Sequence, residues 1–63
     1  MDFRVERHGN LVHVLQGIYF IGEFARLYTA CGAPYWSRVE VGRDATRYIG
    51  AYPTLKDAVN KSL

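Results

Sequence analysis

Apolar and charged side chains alternate over Phe3-Arg4-Val5-Glu6-Arg7, the period-two signature of a half-buried strand. His8-Gly9-Asn10 supplies turn chemistry, and Leu11-Val12-His13-Val14-Leu15, rich in β-branched residues, predicts a second strand. Gln16-Gly17 makes another tight turn. Further on, Tyr35-Trp36-Ser37-Arg38-Val39-Glu40-Val41 alternates cleanly and predicts a strand. Gly42-Arg43-Asp44 turns the chain into an antiparallel partner, Thr46-Arg47-Tyr48-Ile49-Gly50-Ala51-Tyr52. Pro53 cannot donate to a sheet ladder and ends that strand. Thr54 then caps a terminal helix, with Asp57 three residues on as in a capping box. Leu55, Ala58, Val59 and Leu63 fall on its buried side, and Lys56 and Asn60 face water.

The stretch from Ile18 to Cys31 supports two readings. Ile18-Tyr19-Phe20-Ile21 has strand composition, yet Phe20, Ile21, Phe24, Leu27, Tyr28 and Cys31 also fall on one helical stripe. Gly32 and Pro34 would stop such a helix. An internal echo bears on the choice. Phe20-Ile21-Gly22-Glu23-Phe24 matches Tyr48-Ile49-Gly50-Ala51-Tyr52, Leu27 matches Leu55, and Ala30 matches Ala58. If the echo is structural, residues 11–31 and 36–59 are two ββα units, with a strand over 18–24 and a short helix over 25–31. Otherwise one helix starts at Phe20. Either way the fold class is α+β: a small antiparallel sheet of four or five strands packed with a C-terminal helix, in one domain over residues 1–63. Glycine inside a strand marks a bulge, a bend or a close approach, so Gly22 and Gly50 are read first as simple strand kinks, and otherwise as places where an aromatic ring, a helix backbone or a ligand approaches the sheet.

A chain of 63 residues buries only about 60% of its unfolded surface, so the core is marginal. The lone Cys31 permits no internal disulfide, which points to a reducing compartment. On a helical stripe Cys31 reads as a small buried hydrophobe. Help is therefore expected from self-association, and the apolar run from Leu11 to Phe24, too large for one short helix to cover, predicts a homodimer. No apolar run nears the ~20 residues that cross a bilayer, and Met-Asp-Phe-Arg opens no secretory leader. The expected location is cytoplasmic, without membrane contact.

No catalytic constellation is visible, and the chain reads as non-enzymatic. Ser37 and Ser62 lack a nucleophile-elbow context, and the carboxylates stand singly among arginines. Gly9, Gly17 and Gly32 are isolated turn residues rather than a phosphate loop. His8, His13 and Cys31 have no paired ligand spacing, so neither metal nor cofactor is expected. His13, between Val12 and Val14, is expected half-exposed on the face opposite both.

The informative feature is surface composition. If Val39 and Val41 face the core, Trp36 and Arg38 stand side by side in solvent. Tyr48 and Tyr52 on the next strand extend that surface, with Arg43 and Arg47 near its edge. Tryptophan, tyrosine and arginine are enriched at binding hot spots, because they bury large area with few rotamers to freeze. The expected binding residues are therefore Trp36, Arg38, Arg43, Arg47, Tyr48 and Tyr52. The bland alternative is that Trp36 packs as core.

Trp36-Ser37-Arg38-Val39, followed by Arg47-Tyr48-Ile49-Gly50-Ala51-Tyr52-Pro53-Thr54-Leu55-Lys56-Asp57-Ala58, resembles the strand-strand-helix part of ethylene-response and integrase arm-type DNA-binding domains. That resemblance implies a sheet inserted into the major groove, with Trp36, Arg38, Arg47 and Tyr48 as contacts. The dense arginines of those families' first strand are missing here. In size, and in lacking a catalytic constellation, the chain also resembles accessory proteins of phages and mobile elements, which implies inhibition of a host protein or defence complex. The net charge of +2, with both signs interleaved, suits a protein partner better than a phosphate backbone. A host protein is thus the favoured partner, with DNA second.

Overall fold

Short glycine turns fold the chain back on itself repeatedly. A computed structural model describes residues 3–63; Met1 and Asp2, which the leader reading includes, lie outside the described residues. Strands β1 (Arg4–His8), β2 (Leu11–Gln16), β3 (Tyr19–Tyr28), β4 (Pro34–Val41) and β5 (Thr46–Tyr52) are followed by helix α1 (Leu55–Ser62). They form one antiparallel sheet in the order β1-β2-β3-β4-β5, a meander. Gln16 pairs with Tyr19, so only Gly17 and Ile18 span the β2–β3 turn. Gly17 at φ 61° takes the first of these two positions, where left-handed backbone matches the twist of the flanking strands.

Cross-strand partners share a face, and the register therefore sorts the side chains. Val5 pairs with Val14, Arg7 with Val12, Val12 with Phe24, Phe24 with Arg38, and Arg26 with Trp36, which pairs in turn with Tyr52. α1 lies on this face. Val12, Val14, Phe24, Ala58 and Val59 form the buried core, with Ile21, Trp36, Tyr52 and Leu55 packed against it. Thr54 Oγ1 accepts the Asp57 backbone N–H at 3.1 Å, as the sequence predicts. Thr54→Ala should lower stability by about 1 kcal/mol, measurable as a shift of the urea midpoint at unchanged slope. Leu63, expected on the buried side, is exposed.

Both Ile-Gly positions coincide with register shifts, between Val14 and Leu15 on β2–β3 and between Trp36 and Arg38 on β4–β5. Each glycine also lies under the ring two residues ahead. A Cβ on Gly22 would meet the Phe24 ring at 3.4 Å, and one on Gly50 would meet the Tyr52 ring at 2.5 Å. Of the readings open for these glycines, the register irregularity and the close approach of a ring are both seen, and the ring gives the repeated Ile-Gly-x-aromatic pattern a packing cause.

Three expectations are corrected. Residues 25–28 continue β3 instead of starting a helix, so neither the helix from Phe20 nor the first helix of a ββα duplication forms. As the central strand, β3 is laddered on both sides, which outweighs a helical turn too short to be stable without packing. Without that helix the apolar stripe dissolves, and Cys31 is an exposed free thiol in the β3–β4 loop, not a buried hydrophobe. β1, read as half-buried, is an edge strand whose five residues are all exposed.

Candidate binding surface

Only one face of the sheet carries a helix. On the other, the register aligns Arg4 with Leu15 and Phe20, His8 with Leu11 and Ala25, and Glu6 with His13, Glu23, Val39 and Tyr48. Leu27 pairs with Tyr35 and Val41 with Thr46 on the same side. Ala25 and Ser37 are sunk at its centre, each only 2% exposed, because their side chains are short among longer neighbours. The Ser37 hydroxyl donates to the Gly50 carbonyl and satisfies its buried oxygen there. Phe20, Val41 and Tyr48 stand well out of this floor, at 58%, 73% and 54% exposure. Ile18, at the β2–β3 turn beside it, is 91% exposed.

A polar cluster crosses the apolar field. His13 Nε2–H donates to the Glu23 carboxylate at 2.6 Å. The His13 ring lies 4.2 Å from His8, tilted by 32°, and meets Phe20 edge-on at 5.4 Å. His8 in turn approaches Glu6 at 3.8 Å. The arrangement holds the His13 ring in one orientation with its polar edge toward Glu23. His13 is half-buried opposite Val12 and Val14, as expected from the alternation.

The six residues singled out from the sequence are not brought together. Trp36 is half-buried against the core and pairs with Tyr52, also half-buried, on the helix side. Arg38 and Arg47 are on that side too, flanking Glu40 at 3.8 and 4.0 Å. Tyr48 projects from the opposite face, paired with Val39, because the irregularity at Gly50 shifts the alternation between positions 48 and 52. Arg43 is exposed in the β4–β5 turn. The alternation along β4 is thus as expected, but the helix covers the Trp36 face and leaves Val39 and Val41 open. The physical reason is the indole itself: beside Phe24, the larger apolar area belongs with the helix.

The residues that sequence reasoning missed are those of the open face, Leu15, Phe20, Leu27, Tyr35, Val39 and Val41. Their signal was the excess of apolar positions on both faces of β2 to β4 over what one eight-residue helix covers. No protein-family model, curated protein or solved structure was found to match this chain. Among the described residues, no helix is long and apolar enough to cross a membrane.

Proposed function

We propose that this chain is a non-catalytic protein-binding domain that docks through the open face of its sheet. The observation that carries the proposal is the uncovered apolar field around Phe20, Val39, Val41 and Tyr48, set on a five-stranded sheet whose other face carries α1. Exposed apolar area of this kind on a small domain marks an interaction surface. Tyr48 and Phe20 are large, stiff anchors, and the His13–Glu23 pair gives a central polar contact that a partner must satisfy. A host protein, bound by occlusion, is the partner class that the chain's size and mixed charge suggest. A second copy would use the same face in a homodimer.

The charge distribution favours protein over DNA. A sheet backed by a helix can enter a groove only with its open face, and here that face carries Arg4 alone among the strand arginines, already 3.5 Å from Glu6. Of the positions that the DNA-binding resemblance nominates, Trp36, Arg38 and Arg47 are on the helix side, and only Tyr48 is on the open face. The test is capture from a host lysate with the wild-type chain, Val39→Lys/Tyr48→Ala and Arg38→Ala/Arg47→Ala as parallel baits. The captured protein should be lost with the first variant and kept with the second. Equal capture by all three, or duplex retardation at low salt that disappears with the arginine variant, would contradict the proposal.

A further inference from the structure

Five arginines are carried on strands, and they divide into two groups. Arg4 lies 3.5 Å from Glu6, and Arg38 and Arg47 reach Glu40 at 3.8 and 4.0 Å. Among the described residues, Arg7 and Arg26 have no carboxylate within that range. Both line the same hollow, which opens on the helix side of the sheet beside the β1–β2 turn. Its volume is about 540 Å³, and Val12, Leu27, Trp36, Tyr28 and the Gly9-Asn10 turn complete the lining. Small-molecule sites typically run from ~300 to ~1,000 Å³, and this hollow, lined more by polar than by apolar surface, is within that range. Here the polar side chains are two guanidiniums and the Asn10 amide, and no carboxylate contributes to the wall. Arg26 is further held with its guanidinium carbon 5.8 Å from the Tyr28 ring centre.

We infer that this hollow is a binding site for a phosphorylated heteroaromatic ligand, the chemistry of a nucleotide unit. The guanidinium is a planar fork that matches phosphate oxygens in pairs, and two forks facing one cavity concentrate positive charge where no protein anion cancels it. The indole of Trp36 and the phenol of Tyr28 offer aromatic surface of the type on which bases stack. Trp36 reaches the hollow at the end of the sheet where Arg26 is its cross-strand partner, so the phosphate and ring subsites adjoin. The hollow opens on the helix side and shares only Leu27 with the open face; Val39 and Tyr48, the positions varied in the docking test, are not in its wall. Ligand chemistry of this class has two sources, a free nucleotide and a nucleic-acid strand.

Trp36 is the sole tryptophan, so its fluorescence reports the hollow directly. The probes are adenosine 5′-monophosphate, adenosine, inorganic phosphate and a short single-stranded oligonucleotide. The monophosphate should change Trp36 emission saturably, with adenosine and inorganic phosphate each at least about tenfold weaker. Arg7→Ala and Arg26→Ala should each weaken the monophosphate about tenfold or more, as expected for loss of a charged hydrogen bond. Both side chains are exposed, so circular dichroism of the variants should match the wild type. An oligonucleotide that binds more tightly per nucleotide than the monophosphate, and is lost with the same variants, assigns the site to a strand end; equal affinity assigns it to the free nucleotide. Absence of any emission change with every probe, inorganic phosphate as tight as the monophosphate, or affinity unchanged in the Arg7→Ala/Arg26→Ala double variant would overturn the inference. Loss of docking in the open-face variants would not bear on it.

Discussion

Phe24→Ala should leave the chain unfolded at room temperature. Phe24 is fully buried on the central strand, paired with Val12 on one side and Arg38 on the other, beneath the helix. Removing a buried phenylalanine ring costs about 3–5 kcal/mol, from lost burial and the cavity left behind. A 63-residue domain has a total stability of roughly 3–9 kcal/mol at the usual ~0.05–0.15 kcal/mol per residue. The loss therefore equals the lower part of that range, where the marginal core of so short a chain belongs. Neighbours cannot refill the space easily, since Val12 and Val14 are themselves buried in the same small cluster. Circular dichroism should show loss of the sheet signal without denaturant. A variant with the wild-type urea midpoint would mean that the core is elsewhere.

Gly50→Ala should be the next most damaging single change, by two separable effects. Its φ of 79° imposes left-handed strain of about 1–2 kcal/mol on any residue with a Cβ. The new methyl would also sit 2.5 Å from the Tyr52 ring, which is packed against the core beside Trp36 and cannot swing away freely. Gly9 provides the control. Its φ of 66° is similar, but a Cβ there meets nothing within 4 Å. Gly9→Ala should therefore show the strain alone, a fall in melting temperature of roughly 4–16 °C at about 4–8 °C per kcal/mol. Gly50→Ala should fall clearly further. Equal falls would indicate that the ring yields at no cost.

Much of the fold can be read from local pattern. β2, β4, β5 and the Thr54-capped helix follow from alternation, from Pro53 as a strand end and from a capping hydroxyl, all of which act within a few residues. β3 was ambiguous for a physical reason: Phe20, Phe24, Leu27 and Tyr28 satisfy a helical stripe, and only the ladders to β2 and β4, contacts distant in sequence, decide for a strand. The candidate surface is half legible. Alternation correctly separates Trp36 and Arg38 from Val39 and Val41, but it carries no information on which side the helix will lie. With one helix and apolar residues on both faces, that choice depends on total buried area, which no single strand encodes. Tyr48 and Tyr52 failed to share a face because one irregularity at Gly50 reverses the alternation between them. The pairing of Arg7 and Arg26 around one hollow was invisible, since the two residues meet only after two hairpins have formed.

The account depends most on which side of the sheet faces solvent, and hydroxyl-radical footprinting of the folded chain measures that side chain by side chain. Phe20 and Tyr48 should react nearly as fast as in the urea-unfolded chain, while Trp36 and Tyr52 should be distinctly slowed. If Trp36 reacts freely and Tyr48 is protected, the helix lies on the valine face, and the docking surface proposed for the open side is wrong.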